Sequence, residues 1–123
     1  MKGLDTNIII SLLFDEGLED VLEDPAYHIG TVVLAEVAWV LRSSFRKSRQ
    51  EIALTFERLL ADPILRFDNR QVLEMALMDF RLGPADLPDY LLIHGNRSRG
   101  VSQTLTNDRK AARHDGFTLL GGT

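Results

Sequence analysis

Cysteine is absent from the 123-residue sequence, which excludes a disulfide framework and any zinc site built on thiolates. Histidine is scarce. His28, His94 and His114 stand far apart and show none of the short spacings, such as H-x-x-x-H, that bring two imidazoles to one metal. A bound metal is therefore expected on oxygen ligands. No apolar run approaches the roughly 18 residues of a membrane span, and the first residues lack the charged and apolar regions of a secretion signal. A soluble, cytoplasmic protein with no membrane partner is the expectation. Positive charge is in deficit, 14 Lys and Arg against 18 Asp and Glu for a net charge of −4, which argues weakly against a nucleic-acid binder.

What is present is enough for one core. The 45% of hydrophobic residues can fill a single domain of this length and not two, so residues 1–123 are read as one domain. The few basic residues are gathered. Arg42, Arg46, Lys47 and Arg49 form one run, and Arg97, Arg99, Arg109, Lys110 and Arg113 form another. Such clusters in an acidic chain are compatible with RNA, although solvated helix ends have the same composition. Arg42, Arg46 and Arg49 are the candidate RNA-binding set.

Apolar periodicity and turn residues divide the chain into alternating elements. A strand ends over Gly3–Asp5, and a helix over Asn7–Phe14 follows it. A small helix is predicted over Asp15–Glu23, stopped at Asp24-Pro25 because the residue before proline is driven out of the helical region. Tyr27–Ile29 is the second strand. Thr31 is the expected cap of a helix over Val32–Ser43, apolar on nearly every side and so predicted to be buried all round. Ser48-Arg49-Gln50-Glu51 fits a capping box and opens a helix carrying Ile52, Phe56, Leu59 and Leu60. Ile64–Phe67 is the third strand. Asp68-Asn69 is the expected cap of a helix with Val72, Leu73, Ala76, Leu77 and Phe80 inward. Asp86 caps a helix whose first turn tolerates Pro88 and which runs to about Arg97. Ser102–Thr106 is the fourth strand, Asp108–His114 a short helix and Phe117–Leu120 the fifth strand. Strands alternating with helices imply an α/β fold with a parallel sheet covered on both faces.

In such a sheet every helix begins at the carboxyl edge, which gathers the acids of this chain. Asp5 ends the first strand, Asp108 ends the fourth, Asp89 lies in the first turn of the helix leading to the fourth, and Glu36 lies about one turn into the helix after the second. Asp5, Asp89 and Asp108 each suit a helix start for stability alone. Glu36 has Val32, Val33, Trp39 and Val40 as helical neighbours, where an ionised carboxylate is costly without a partner. Carboxylates converging on one rim repel and raise one another's pKa unless a cation is present. Mg²⁺ or Mn²⁺ prefers oxygen ligands and supports attack of water on a phosphodiester.

Leu4-Asp5-Thr6-Asn7, Leu34-Ala35-Glu36-Val37-Ala38-Trp39-Val40-Leu41, Ala85-Asp86-Leu87-Pro88-Asp89 and Leu105-Thr106-Asn107-Asp108 resemble the acidic motifs of PIN domains. Their order and spacing over essentially the whole chain are similar to those of VapC toxins of type II toxin–antitoxin systems. The resemblance implies a three-layer α/β/α sandwich whose parallel five-stranded sheet has the order 3-2-1-4-5. It implies an Mg²⁺- or Mn²⁺-dependent endoribonuclease acting on structured RNA, often transfer RNA. A small VapB-like antitoxin and a homodimer within a larger toxin–antitoxin complex are the implied partners. By motif position Asp5, Glu36, Asp89 and Asp108 are the metal-binding, catalytic acids, with Thr6, Asn7 and Thr106 orienting them; Asp86 matches a further acid whose capping role suffices. Leu87, Pro88 and Asn107 depart from the family pattern without removing a ligand.

Two other readings use the same acids. A receiver domain of two-component signalling requires an acidic pair after the first strand and a lysine after the fifth, but Thr6-Asn7 and Leu119-Leu120-Gly121 stand there; Asp68 would be its phosphoacceptor. A nuclease of the same fold acting on DNA is the other.

Overall fold

A computed structural model describes residues 1–15 and 22–121. The chain gathers into two compact units, Met1–Arg70 and Gln71–Thr123.

In the first unit, β1 (Lys2–Gly3), β2 (Tyr27–Ile29) and β3 (Leu65–Phe67) form a parallel sheet in the order β1-β2-β3. Lys2 pairs with Tyr27 and Tyr27 with Leu65, so the three strands share one register. The Leu4 N–H extends the first ladder to the His28 carbonyl at 2.8 Å, after which Asp5 turns the chain into α1 (Thr6–Phe14). The helices α2 (Thr31–Ser43) and α3 (Arg49–Ala61) complete the unit. Leu34, Val37, Ala38 and Leu41 recur three or four residues apart and form the buried stripe of α2. Ile52, Ala53, Phe56 and Leu59 do the same for α3.

The start of α3 is closed by the expected capping box. Ser48 Oγ accepts from the Glu51 N–H at 3.1 Å, and Glu51 Oε1 accepts from the Ser48 N–H at 3.0 Å. The start of α2 is closed differently from expectation. Thr31 is the first helical residue, and Gly30 stands at the cap with no side chain to offer. Asp68 reaches across from the end of β3 instead: its Oδ2 accepts from the Thr31 N–H at 2.7 Å and its Oδ1 lies 2.7 Å from His28 Nε2. Asp68 thus caps α2 rather than the helix that follows it in sequence.

In the second unit, α4 (Arg70–Leu82) continues from the boundary, followed by α5 (Leu87–Ser98), β4 (Thr104–Thr106), a 3-10 turn (Ala111–Arg113) and β5 (Phe117–Leu119). Val72, Leu73, Ala76, Leu77 and Phe80 are the buried face of α4, the stripe that periodicity predicts. β4 and β5 pair in parallel, Thr104 opposite Phe117 and Thr106 opposite Leu119. Ile93, Ala111 and Phe117 cluster beneath them. Gly116 has φ 107, and a Cβ there would lie 2.6 Å from Arg97 Nη2. Arg97 Nη2 donates to the Asp115 carbonyl at 3.0 Å, so glycine allows both the turn and the guanidinium beside it.

Three expectations need correction. The single five-stranded sheet of order 3-2-1-4-5 is replaced by one sheet of three strands and another of two. The helix predicted over Asp108–His114 is reduced to a 3-10 turn over three residues. α2 is not buried all round: Val32 and Trp39 are 72% and 60% exposed, and with Glu36 they form an open stripe opposite the buried one. The small helix expected over Asp15–Glu23 lies largely outside the described residues. Among the described residues no helix is long and apolar enough to cross a membrane.

Candidate functional site

The first unit carries two of the predicted acids. Asp5 is the N-cap of α1, with Oδ1 accepting from the Ile8 N–H at 3.1 Å. This arrangement satisfies one of the free N–H groups at the helix start and leaves the carboxylate exposed. Thr6, the next residue, donates from its hydroxyl to Glu36 Oε2 at 2.7 Å. The first turn of α1 is thereby tied to the second turn of α2, and the Glu36 carboxylate is held in one orientation. Asn7 is exposed in the same turn of α1 as Thr6. The apolar neighbours of Glu36 do not desolvate it. Val32 and Trp39 are themselves open to solvent, and Glu36 is exposed among them. The sequence argument from burial is therefore corrected: what distinguishes Glu36 is its hydroxyl partner.

The second unit carries the other two. Asp86 is at the N-cap of α5, and Asp89 in the first turn accepts from the Asp86 N–H through Oδ2 at 3.3 Å. Burial pushes the Asp89 carboxyl above the ordinary aspartate range. The negative charges of Asp86 and Asp108 act in the same direction, against the Asp86 N–H and the Lys110 ammonium. Asp108 follows β4. Its N–H donates to Thr106 Oγ1 at 3.0 Å, and its Oδ1 accepts from the N–H groups of Lys110 at 2.8 Å and Ala111 at 3.4 Å. Thr106 therefore fixes the backbone at Asp108.

The donor chemistry of these acids fits a hard dication. Only carboxylate and hydroxyl oxygens are offered, and the charge crowding at Asp89 is what a cation relieves.

Asp68, the residue a receiver domain would use as phosphoacceptor, has both oxygens engaged by Thr31 and His28. The Thr31 N–H, in the first place, holds its carboxyl below the ordinary range.

The basic run lies where α2 ends and α3 begins. Arg42, Arg46 and Arg49 are exposed. Arg46 has φ 52, the left-handed region that disfavours side chains, and the following Lys47 N–H returns to the Leu41 carbonyl at 2.9 Å.

The PIN domain family model matches residues 3–116, a span that takes in all four acids. The chain belongs to the PIN-domain family. No curated protein and no solved structure matches it. PIN domains are typically metal-dependent nucleases, and the oxygen donors described here suit that chemistry.

One group in this PIN domain escapes the sequence reading. Asp79, His94 and His114 offer ligand atoms that all lie within 4.8 Å of one another. The absence of any H-x-x-x-H spacing pointed to oxygen ligands alone; the fold instead brings His94 from α5 and His114 from the turn before β5 to Asp79 on α4. One signal was available. His94 falls on the stripe of α5 that includes Tyr90 and Leu91, and Asp79 precedes the inward Phe80, so two polar residues border buried faces of consecutive helices.

Proposed function

We propose that this PIN domain is an Mg²⁺- or Mn²⁺-dependent endoribonuclease, the toxin of a type II toxin–antitoxin pair of the VapC kind. Asp5, Glu36, Asp89 and Asp108 are the metal-binding, catalytic acids in this reading. The observation that carries it is the match of the PIN family model over residues 3–116, a span that takes in all four acids; burial first, and the charges of Asp86 and Asp108 after it, raise the Asp89 carboxyl, a cost that a cation offsets. These acids would hold the dication, which when bound would supply polarisation of a phosphodiester and activation of water.

The chain's own groups orient the acids. Thr6 holds Glu36 through its hydroxyl, and the Asp5 carboxylate is fixed by the Ile8 N–H. Thr106 holds the backbone at Asp108, and the Asp86 N–H holds Asp89. Asn7 joins Thr6 in orienting the first pair. Arg42, Arg46 and Arg49 supply positive charge for the RNA backbone, which an acidic chain must concentrate locally. A VapB-like antitoxin is the proposed inhibitor, and a homodimer the proposed assembly.

Purified protein is expected to cut structured RNA with Mg²⁺ or Mn²⁺ and to stop with chelator. Asp5→Asn and Glu36→Gln are expected to lose activity with an unchanged circular dichroism spectrum. Full activity in either folded variant would overturn the assignment. Cleavage of single-stranded DNA in preference to RNA would replace the substrate and leave the centre standing.

A further inference from the structure

A second and chemically different cluster of candidate ligand atoms lies in the unit Gln71–Thr123, and it uses none of the four acids. Asp79 is on α4, His94 on α5 and His114 just before β5. One carboxylate oxygen, Asp79 Oδ2, lies 2.5 Å from His94 Nε2 and 3.3 Å from His114 Nε2. Their side chains are largely withdrawn from solvent, with 28%, 5% and 18% of the side-chain surface exposed respectively.

Hydrogen bonding alone leaves this group incomplete. His114 Nε2 is a buried nitrogen aimed at Asp79 with no hydrogen bond; His94 Nδ1 also lacks a partner, but it lies on the far side of the ring from Asp79 and is not a ligand atom of this group. Unsatisfied buried polar atoms are uncommon in folded proteins. The His114 ring is fixed in place by Tyr90, which meets it edge-on with centroids 4.6 Å apart. Tyr90 is fully buried, so the ring cannot swing away without disturbing the core.

We propose that Asp79, His94 and His114 bind a zinc-class dication through two imidazole nitrogens and one carboxylate oxygen. Borderline-soft dications prefer such a set, whereas Mg²⁺ prefers oxygen. The spacing is suitable. For bonds of about 2.0–2.1 Å, tetrahedral ligand atoms lie about 3.3 Å apart, which is the His114–Asp79 separation. The His94–Asp79 pair, at 2.5 Å, has to open by about 0.8 Å to reach that separation as the shared proton leaves. The ion pins α4, α5 and the approach to β5 together, acting as a staple where disulfides are unavailable.

The test uses the full chain stripped with chelator and dialysed. Zn²⁺ is titrated by calorimetry in excess Mg²⁺, and bound zinc is counted after gel filtration. The expected result is one Zn²⁺ per chain that Mg²⁺ does not displace, with a visible absorption band of low-symmetry Co²⁺ when cobalt replaces it. His114→Gln and Asp79→Asn are expected to weaken Zn²⁺ at least as much as loss of an outer-shell partner does, roughly 10- to 100-fold. Asp89→Asn is expected to keep it.

Zinc retained at full affinity by folded His114→Gln and Asp79→Asn would overturn the site, as would its loss in Asp89→Asn or its absence from the wild type. Imidazole ¹⁵N spectra of the wild-type protein provide a measurement independent of variant folding. Zn²⁺ must shift one nitrogen of each of His94 and His114 and spare His28, and a spectrum unchanged by Zn²⁺ would refute the proposal.

Discussion

Single residues in this PIN domain hold positions that stability alone would not choose. Asp89 is the clearest. Its carboxyl is raised first by burial and then by the charges of Asp86 and Asp108, so the ionised form is costly in the metal-free protein. For an acid with a raised folded pKa, that cost is fully present above the folded pKa and vanishes below the unfolded value of about 3.9. Asp89→Asn is expected to stabilise the metal-free protein at pH 7–8, an effect that shrinks to nothing near pH 3. Thermal melts across pH check this, and a destabilised variant at pH 8 would refute it. Arg46 makes a parallel case through its backbone. Relief of its left-handed φ by Arg46→Gly, about 1 kcal/mol, is roughly offset by the added chain entropy of glycine. The melting temperature is expected to stay within a few degrees while RNA affinity falls, and an unchanged salt-dependent affinity would remove Arg46 from the RNA path.

At the level of elements, capping shows what local sequence can and cannot reveal. Ser48 and Glu51 lie three residues apart and announce their box directly. Asp5 and Asp86 were likewise legible as helix starts. Asp68 was not, because its partner Thr31 is distant in sequence and only the pairing of β2 with β3 brings the two together. The Thr31 N–H first, and His28 as well, depress the Asp68 carboxyl. The resulting stability is present above about pH 3.9 and is lost as the pH falls through the folded pKa. Asp68→Ala is expected to cost about 1 kcal/mol at pH 7, with the difference from wild type narrowing below pH 3. Urea melts at the two pH values decide it, and equal losses at both would assign the effect to packing. The exposure of α2 was misread for a related reason. Val32 and Trp39 are apolar, and periodicity records which residues share a stripe without recording which stripe is covered.

For the whole molecule, the positions of Asp5 and Asp86 at helix starts, Asp89 in a first turn and Asp108 just after a strand follow from local motifs. The meeting of Asp79, His94 and His114 was illegible, since no spacing encodes a contact made by tertiary structure. Losses of groups that act together in one catalytic step do not add. The Asp5→Asn/Asp89→Asn double variant is expected to be no slower in RNA cleavage than the slower single variant. Rates that multiply would show two independent contributions.

The carboxylate linking Asp68 to Thr31 also has a kinetic meaning. It spans 37 residues, so release of β3 removes the acceptor at the start of α2 even though no residue of α2 has moved. Amide exchange would then report the Thr31 N–H and the β3 amides opening as one cooperative unit. In Asp68→Ala the Thr31 amide would exchange ahead of the strand.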